Sequence, residues 1–190
     1  MIAQVINLDR RTDRWESFVS HAKEVGIPYN RVSAYEPTED EMEGIPIRKG
    51  LYGCNMSHLR LWKEFLESAE PYLWVLEDDA RQVRTWDRRL PDSFDLFYLG
   101  YNDRTSGGKP GKNLGKWHKV KRALTTHAYI ISREGAEKAI KLNLKHFAID
   151  VALWKVQQYN NSYYFKPSRF IQNPSYSDIL NTHADYTNTI

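Results

Sequence analysis

Four stretches of the chain are apolar with little or no polar alternation: Ile2–Leu8, Leu73–Leu76, Asp95–Gly100 and Leu124–Ser132. Runs of this length without a period of two predict strands buried on both faces, as in a sheet covered by helices on either side. Another strand is expected at Asn30–Ala34, and short strands within Tyr163–Asp178. Between them the period changes. Trp15, Phe18, Val19, Ala22 and Val25 recur at three and four, as do Met56, Leu59, Trp62, Phe65 and Leu66, then Ala136, Ala139, Ile140 and Leu142. Each set predicts one apolar helix face. A further helix is expected over Ile149–Tyr159. Thr12 and Ser132 are placed as N-caps, Asn55 or Ser57 could cap the second helix, and Gly26 closes the first. Alternation of strand and helix makes this an α/β chain with a mostly parallel central sheet flanked by helices. At 190 residues it is expected to form a single domain, 1–190, able to bury a core without disulfides.

The run Leu73-Trp74-Val75-Leu76 ends in three carboxylates, Glu77, Asp78 and Asp79. Ligands of parallel α/β sheets gather beyond the carboxyl ends of the strands, where these acids stand. Continued extension would put Glu77 and Asp79 on one face and Asp78 on the other. Two carboxylates on one face repel, and a divalent cation such as Mn²⁺ or Mg²⁺ removes that conflict by taking oxygen ligands. A solvated acidic turn is the competing reading.

Other segments offer polar rims. The turn after the first strand presents Asn7, Arg10 and Arg14, a hydrogen-bonding and cationic edge suited to a base or phosphate; ordinary surface arginines are the alternative. Gly50–His58 reads as a glycine-containing loop feeding a helix start, whose free N–H groups suit a diphosphate. His58 alone fits a buried, hydrogen-bonded histidine equally well. His127 falls inside a strand. Asp150 opens a helix, where the dipole stabilises its carboxylate. The acidic run Glu36–Glu43 reads as solvated. Arg104–Arg122 has seven Lys or Arg, four Gly and no acid, the composition of a surface loop that could close over an anionic substrate.

The balance of 27 basic against 24 acidic residues is too even to demand a nucleic-acid partner. The single cysteine, Cys54, excludes an internal disulfide and a cysteine-rich zinc module. No window approaches the length of a membrane span, so the expectation is a cytoplasmic chain, with peripheral membrane contact left open.

In chain order, Ile6-Asn7-Leu8-Asp9-Arg10, Gly53-Cys54-Asn55-Met56-Ser57-His58-Leu59, Leu76-Glu77-Asp78-Asp79, His127–Ser132 with Gly135-Ala136, Asp150 and Ser177-Asp178-Ile179 resemble glycosyltransferase family 25, the lipooligosaccharide and procollagen galactosyltransferase group. The similarity runs from about residue 2 to residue 180. Met56 stands where the family usually has leucine.

The resemblance implies a GT-A-like nucleotide-sugar fold and inverting transfer of a hexose, galactose or glucose, from a UDP-sugar to a hydroxyl of a glycan or hydroxylysine. It implies Mn²⁺ or Mg²⁺ held by Glu77 and Asp79 with His183 as third ligand, and Asp150 as base with Asp178 as runner-up. The donor pocket would be lined by Asn7, Leu8, Arg10, Arg14, Ser57, His58, Asp78 and His127. A degenerate module that binds a nucleotide sugar or glycan without chemistry is the alternative.

Overall fold

The computed structural model describes residues 1–102, 117–120, 122–143, 147–159, 161–178 and 182–184. Its elements begin with β1 (Ala3–Asn7), α1 (Thr12–Val25), β2 (Tyr29–Ser33), a 3-10 turn at Asp40–Met42 and α2 (Lys49–Glu67). Next come β3 (Tyr72–Glu77), β4 (Ala80–Gln82), β5 (Leu96–Asn102), β6 (His118–Lys119) and β7 (Leu124–Ser132). The remainder is α3 (Arg133–Leu142), α4 (Ile149–Gln157), β8 (Ser162–Tyr164), β9 (Phe170–Gln172), β10 (Ser175–Ser177) and β11 (Thr182–Ala184).

The central sheet has seven strands in the order β2-β1-β3-β7-β5-β8-β6. The pairs β1–β2, β1–β3 and β5–β8 are parallel, while β7 runs against both β3 and β5, and β6 against β8. Thus β2, β1, β3, β5 and β8 share one direction, the mostly parallel sheet expected. Two small antiparallel pairs, β4–β9 and β10–β11, stand beside it.

The missing alternation now has its cause: both faces of the sheet are covered. Leu73, Val75, Leu96, Tyr98, Tyr129 and Ile131 pack with Trp62, Phe65, Ala136 and Leu153 of α2, α3 and α4. Their chain neighbours Trp74, Leu76, Phe97, Leu99, Ala128 and Ile130 face the other way, into a cluster with Phe18 and Ala22 of α1. The two apolar layers leave the carboxyl ends of β1 and β3 as the place where polar groups can converge.

Gly26 closes α1 at φ 71°, as expected, and Ser132 caps α3 by accepting the Gly135 N–H at 3.0 Å. Thr12 is instead the first residue of α1, and the cap position falls to Arg11, which makes no side-chain capping bond. A larger correction concerns Gly50–His58. These residues are already helical, since α2 begins at Lys49, so no glycine loop presents free N–H groups to an anion there. Gly53 has a packing role: a Cβ on it would stand 2.6 Å from the Tyr35 carbonyl oxygen. Glycine therefore lets α2 close on the chain after β2. Most of Arg104–Arg122 lies outside the described residues; Trp117–Val120 carries β6.

Candidate active site at the ends of β1 and β3

Parallel register places Ile6 beside Glu77, and the Asp78 N–H donates to the Ile6 carbonyl at 3.2 Å. Asn7, 1% exposed, is thereby set against Asp78 and donates from Nδ2 to Asp78 Oδ2 at 2.6 Å. Its Oδ1 accepts from Arg31 Nη2 at 2.6 Å. One turn into α1, a single guanidinium nitrogen of Arg14 meets both Asp78 and Asp79, the latter at 2.8 Å. Gln172 of β9 donates to Asp79 Oδ2 at 2.9 Å.

The expected pairing of Glu77 with Asp79 on one face, opposite Asp78, is therefore revised. The strand ends at Glu77 and the chain turns, so the period of two stops there. Asp78 and Asp79 share Arg14, whereas Glu77 accepts from Thr126 of β7 and meets His58 Nε2 at 3.3 Å. His58 Nδ1 in turn pairs with the Tyr129 hydroxyl at 2.8 Å, which also accepts from Trp62 Nε1 at 2.9 Å.

These contacts divide the acids electrostatically. Burial pushes Asp78 up to about 7, with Arg14 opposing it and the Asp79 charge adding to it. Burial likewise raises Asp79, against Arg14. Burial would raise Glu77 too, but the hydrogen bonds and charge of His58 and the Thr126 hydroxyl hold it below the usual carboxylate range. Cys54, one helical turn before His58, has its thiol pushed well up by burial and then by the fields of Glu77, Asp150 and Asp79.

The remaining expected residues are placed as follows. Arg10 reaches Asp178 at 2.8 Å, and Arg11 also pairs with Asp178, so the end of β10 is fastened to the β1–α1 turn. Leu8 is half-buried beside Asn7 and its carbonyl accepts the Arg11 N–H at 2.9 Å. Ser57 is committed elsewhere: its hydroxyl accepts the Tyr35 N–H and donates to the Gly53 carbonyl, both at 2.7 Å. His127 is buried in β7 with Nδ1 3.0 Å from Thr125 Oγ1. Asp150 is half-buried in the first turn of α4, and burial raises its carboxyl above the ordinary range. Of His183, the backbone pairs with Tyr176 in the β10–β11 hairpin, and its side chain lies outside the described residues.

Sequence reading missed Arg11, Arg31, Thr126 and Gln172, all of which bond site carboxylates or their partner Asn7. Asn55, expected as a possible cap, lies inside α2 and instead donates to the Phe147 carbonyl and accepts from Asn143, each at 2.7 Å. That pair of bonds ties α2 to the segment from which α4 and Asp150 start.

Residues 1–88, which contain both strand ends and all three acids, match glycosyltransferase family 25 (LPS biosynthesis protein). The chain belongs to glycosyltransferase family 25. It is 27% identical over 168 residues to procollagen galactosyltransferase 1 of Danio rerio, covering 72% of this chain and 28% of that protein. To procollagen galactosyltransferase 1-A of Xenopus laevis it is 30% identical over 174 residues, covering 72% of this chain and 27% of that protein. A probable inactive glycosyltransferase 25 family member 3 of Bos taurus is 26% identical over 166 residues, 72% of this chain and 28% of that protein. The chain thus spans under a third of the length of these family 25 relatives. Among solved structures, the crystal structure of A197 from STIV shares the fold at a TM-score of 0.51 and 13% identity, over 90% of this chain and 83% of that one.

Among the described residues no helix of this family 25 chain is long and apolar enough to cross a membrane.

Proposed function

We propose that this chain transfers a hexose from a UDP-sugar to a hydroxyl of a glycan or hydroxylysine-type acceptor, with inversion and with a divalent cation. The observation behind this reading is Asp79 Oδ1: a buried carboxylate oxygen with no hydrogen-bond partner, in a cluster of three acids that Arg14 and His58 only partly offset. An orphaned anionic oxygen is costly to bury, and a hard cation with oxygen ligands suits it. Asp79 and Glu77 would hold Mn²⁺ or Mg²⁺, with His183 of the terminal hairpin as the third candidate. Bound there, the cation supplies charge against the diphosphate that leaves.

The chain's own residues do the rest. Asn7, Arg10 and Arg14 form the polar and cationic edge for the nucleotide, with Asp78 held by Asn7 and His127 lining the sheet side. Asp150 takes the proton of the acceptor hydroxyl while that oxygen bonds to the anomeric carbon and the bond to UDP breaks, the electron pair leaving with UDP. Its raised proton affinity suits a base. Asp178, the other candidate, has its carboxylate engaged by Arg10 and Arg11, which lowers its value as a base and makes it a brace for the donor edge.

Calorimetric titration of UDP in Mn²⁺ and again in EDTA tests the donor site, and UDP-sugar turnover by Asp79→Ala tests the acid. Metal-dependent binding with abolished turnover is expected. Undiminished turnover in a folded Asp79→Ala protein would remove the acid cluster from the mechanism. The bovine relative named as probably inactive favours one alternative, a module that binds a nucleotide sugar or glycan without chemistry. Metal-dependent UDP binding with no turnover across acceptors would select it.

A further inference from the structure

Cys54 and His58 stand four residues apart on α2 and so on one face of the helix, above the carboxyl end of β3. There Glu77 completes a set whose ligating atoms, Cys54 Sγ, His58 Nε2 and a Glu77 carboxylate oxygen, all lie within 4.8 Å of one another. We propose that these three residues bind a soft or borderline divalent cation of the zinc class, with Glu77 standing between this ion and the donor-side cation that Asp79 would hold. The proposal stands whether or not the chain transfers a sugar.

The donor set selects the ion. A thiolate and an imidazole favour Zn²⁺ over Mg²⁺ or Mn²⁺, which prefer oxygen. With Zn–S of about 2.3 Å and Zn–N of about 2.0 Å, ligand atoms around a tetrahedral zinc lie about 3.5 Å apart. The His58–Glu77 separation is already 3.3 Å, and Cys54 Sγ lies within 4.8 Å of both. Three protein ligands leave a fourth position for water. Thr126, whose hydroxyl donates to Glu77 Oε1, fixes that carboxylate.

The surroundings hold the imidazole in the orientation a metal needs. Tyr129 Oη, 2.8 Å from His58 Nδ1, is itself fixed by the Trp62 indole N–H. With the metal bound, Nδ1–H donates to Tyr129 and Nε2 carries the lone pair, the usual arrangement of a histidine ligand and its outer partner. Binding releases the Cys54 thiol proton and any proton carried on His58 Nε2. Of the donor-side acids, Asp78 and Asp79 are gathered by Arg14 and lie outside this set, while Glu77 belongs to both.

Cobalt(II) reports the site directly, because Cys54 is the chain's only cysteine. Titrating Co²⁺ into the reduced full chain is expected to produce a thiolate-to-cobalt charge-transfer band at one equivalent, which Zn²⁺ bleaches. The band should persist in Asp79→Asn and vanish in Cys54→Ser, and the rise in Tm that Zn²⁺ gives the wild type should vanish in Cys54→Ser and His58→Gln. Absence of the band in the wild-type chain overturns the proposal whatever the variants do, as does an equal Zn²⁺-induced rise in Tm in a folded Cys54→Ser. Mn²⁺-dependent UDP binding is read separately, so failure of one site is not mistaken for failure of the other.

Discussion

Asn7 Nδ2 donates to Asp78 Oδ2 at 2.6 Å, a side-chain bond across 71 residues that fastens the carboxyl end of β1 to that of β3. Because Asn7 Oδ1 also receives Arg31, the amide sits between a cation and a carboxylate and orients both. Asn7→Ala leaves Asp78 short of a donor in a buried place, and the loss of a hydrogen bond to a buried charged group costs about 1–3 kcal/mol. Urea denaturation should show that loss, and UDP calorimetry should show weakened binding. Asn7→Asp, which sets a second carboxylate against Asp78, should be worse on both measurements. An Asn7→Ala chain with unchanged stability and UDP affinity would place the nucleotide elsewhere.

If Asp150 is the base, as proposed, it sets the acid limb of turnover. Burial raises its carboxyl and the Glu77 charge adds to this, while its own and the Val151 N–H groups at the helix start pull it back. The base is active when ionised, so activity falls as pH drops through the raised value. The limb should therefore lie above the ordinary aspartate value of about 3.9. Asp150→Asn should remove the limb and lower kcat by about 10²–10⁴, the usual contribution of a positioned base. A pH–rate profile of the variant that kept the wild-type limb would transfer the role to another group.

The strands and the acid triplet were legible because their signals are local. Unbroken apolar runs name strands covered on both sides, and the acids sit where such strands end. The start of α2 was not. Gly50 and Gly53 argue locally for a loop, and only the approach of the Tyr35 backbone, seen in three dimensions, shows why a glycine belongs inside a helix there. The split of Glu77 from Asp78 and Asp79 escaped for a similar reason: alternation holds only while the chain is extended, and the turn after Glu77 hands the later acids to Arg14. Thr126 and Gln172 reach the acids from 49 and 93 residues away, so no local pattern marks them.

Gly135 marks the tightest seam between helix and sheet. A Cβ there would fall 2.1 Å from the Asp95 carbonyl oxygen, which also accepts the Ser132 N–H at 3.1 Å. Gly135→Ala must push the first turn of α3 off the start of β5, at about 1–3 kcal/mol for an overpacked contact. Gly26→Ala has open space around it but a φ of 71°, so its cost is conformational, about 1 kcal/mol. Urea midpoints of the two variants should rank Gly135→Ala as the more damaging. The reverse order would show that α3 can shift freely.

His21 gives the fold a pH dependence of known sign. The Gln82 N–H donates to its Nε2 at 2.9 Å, joining α1 to β4 just past the acid triplet. That bond needs a neutral nitrogen. Burial and the neighbouring Arg81 cation hold the imidazole below its usual range. Between the lowered folded value and the unfolded value of about 6.5, the unfolded chain binds more protons, so stability rises with pH across that window. The contribution is fully present above about 6.5 and is lost as pH falls toward the folded value. His21→Gln offers the Gln82 N–H a carbonyl acceptor that does not titrate. Its stability, followed by urea denaturation between about pH 5 and 7, should therefore fall less on acidification than that of the wild type. Parallel curves for the two proteins would mean that His21 is protonated as readily in the fold as outside it.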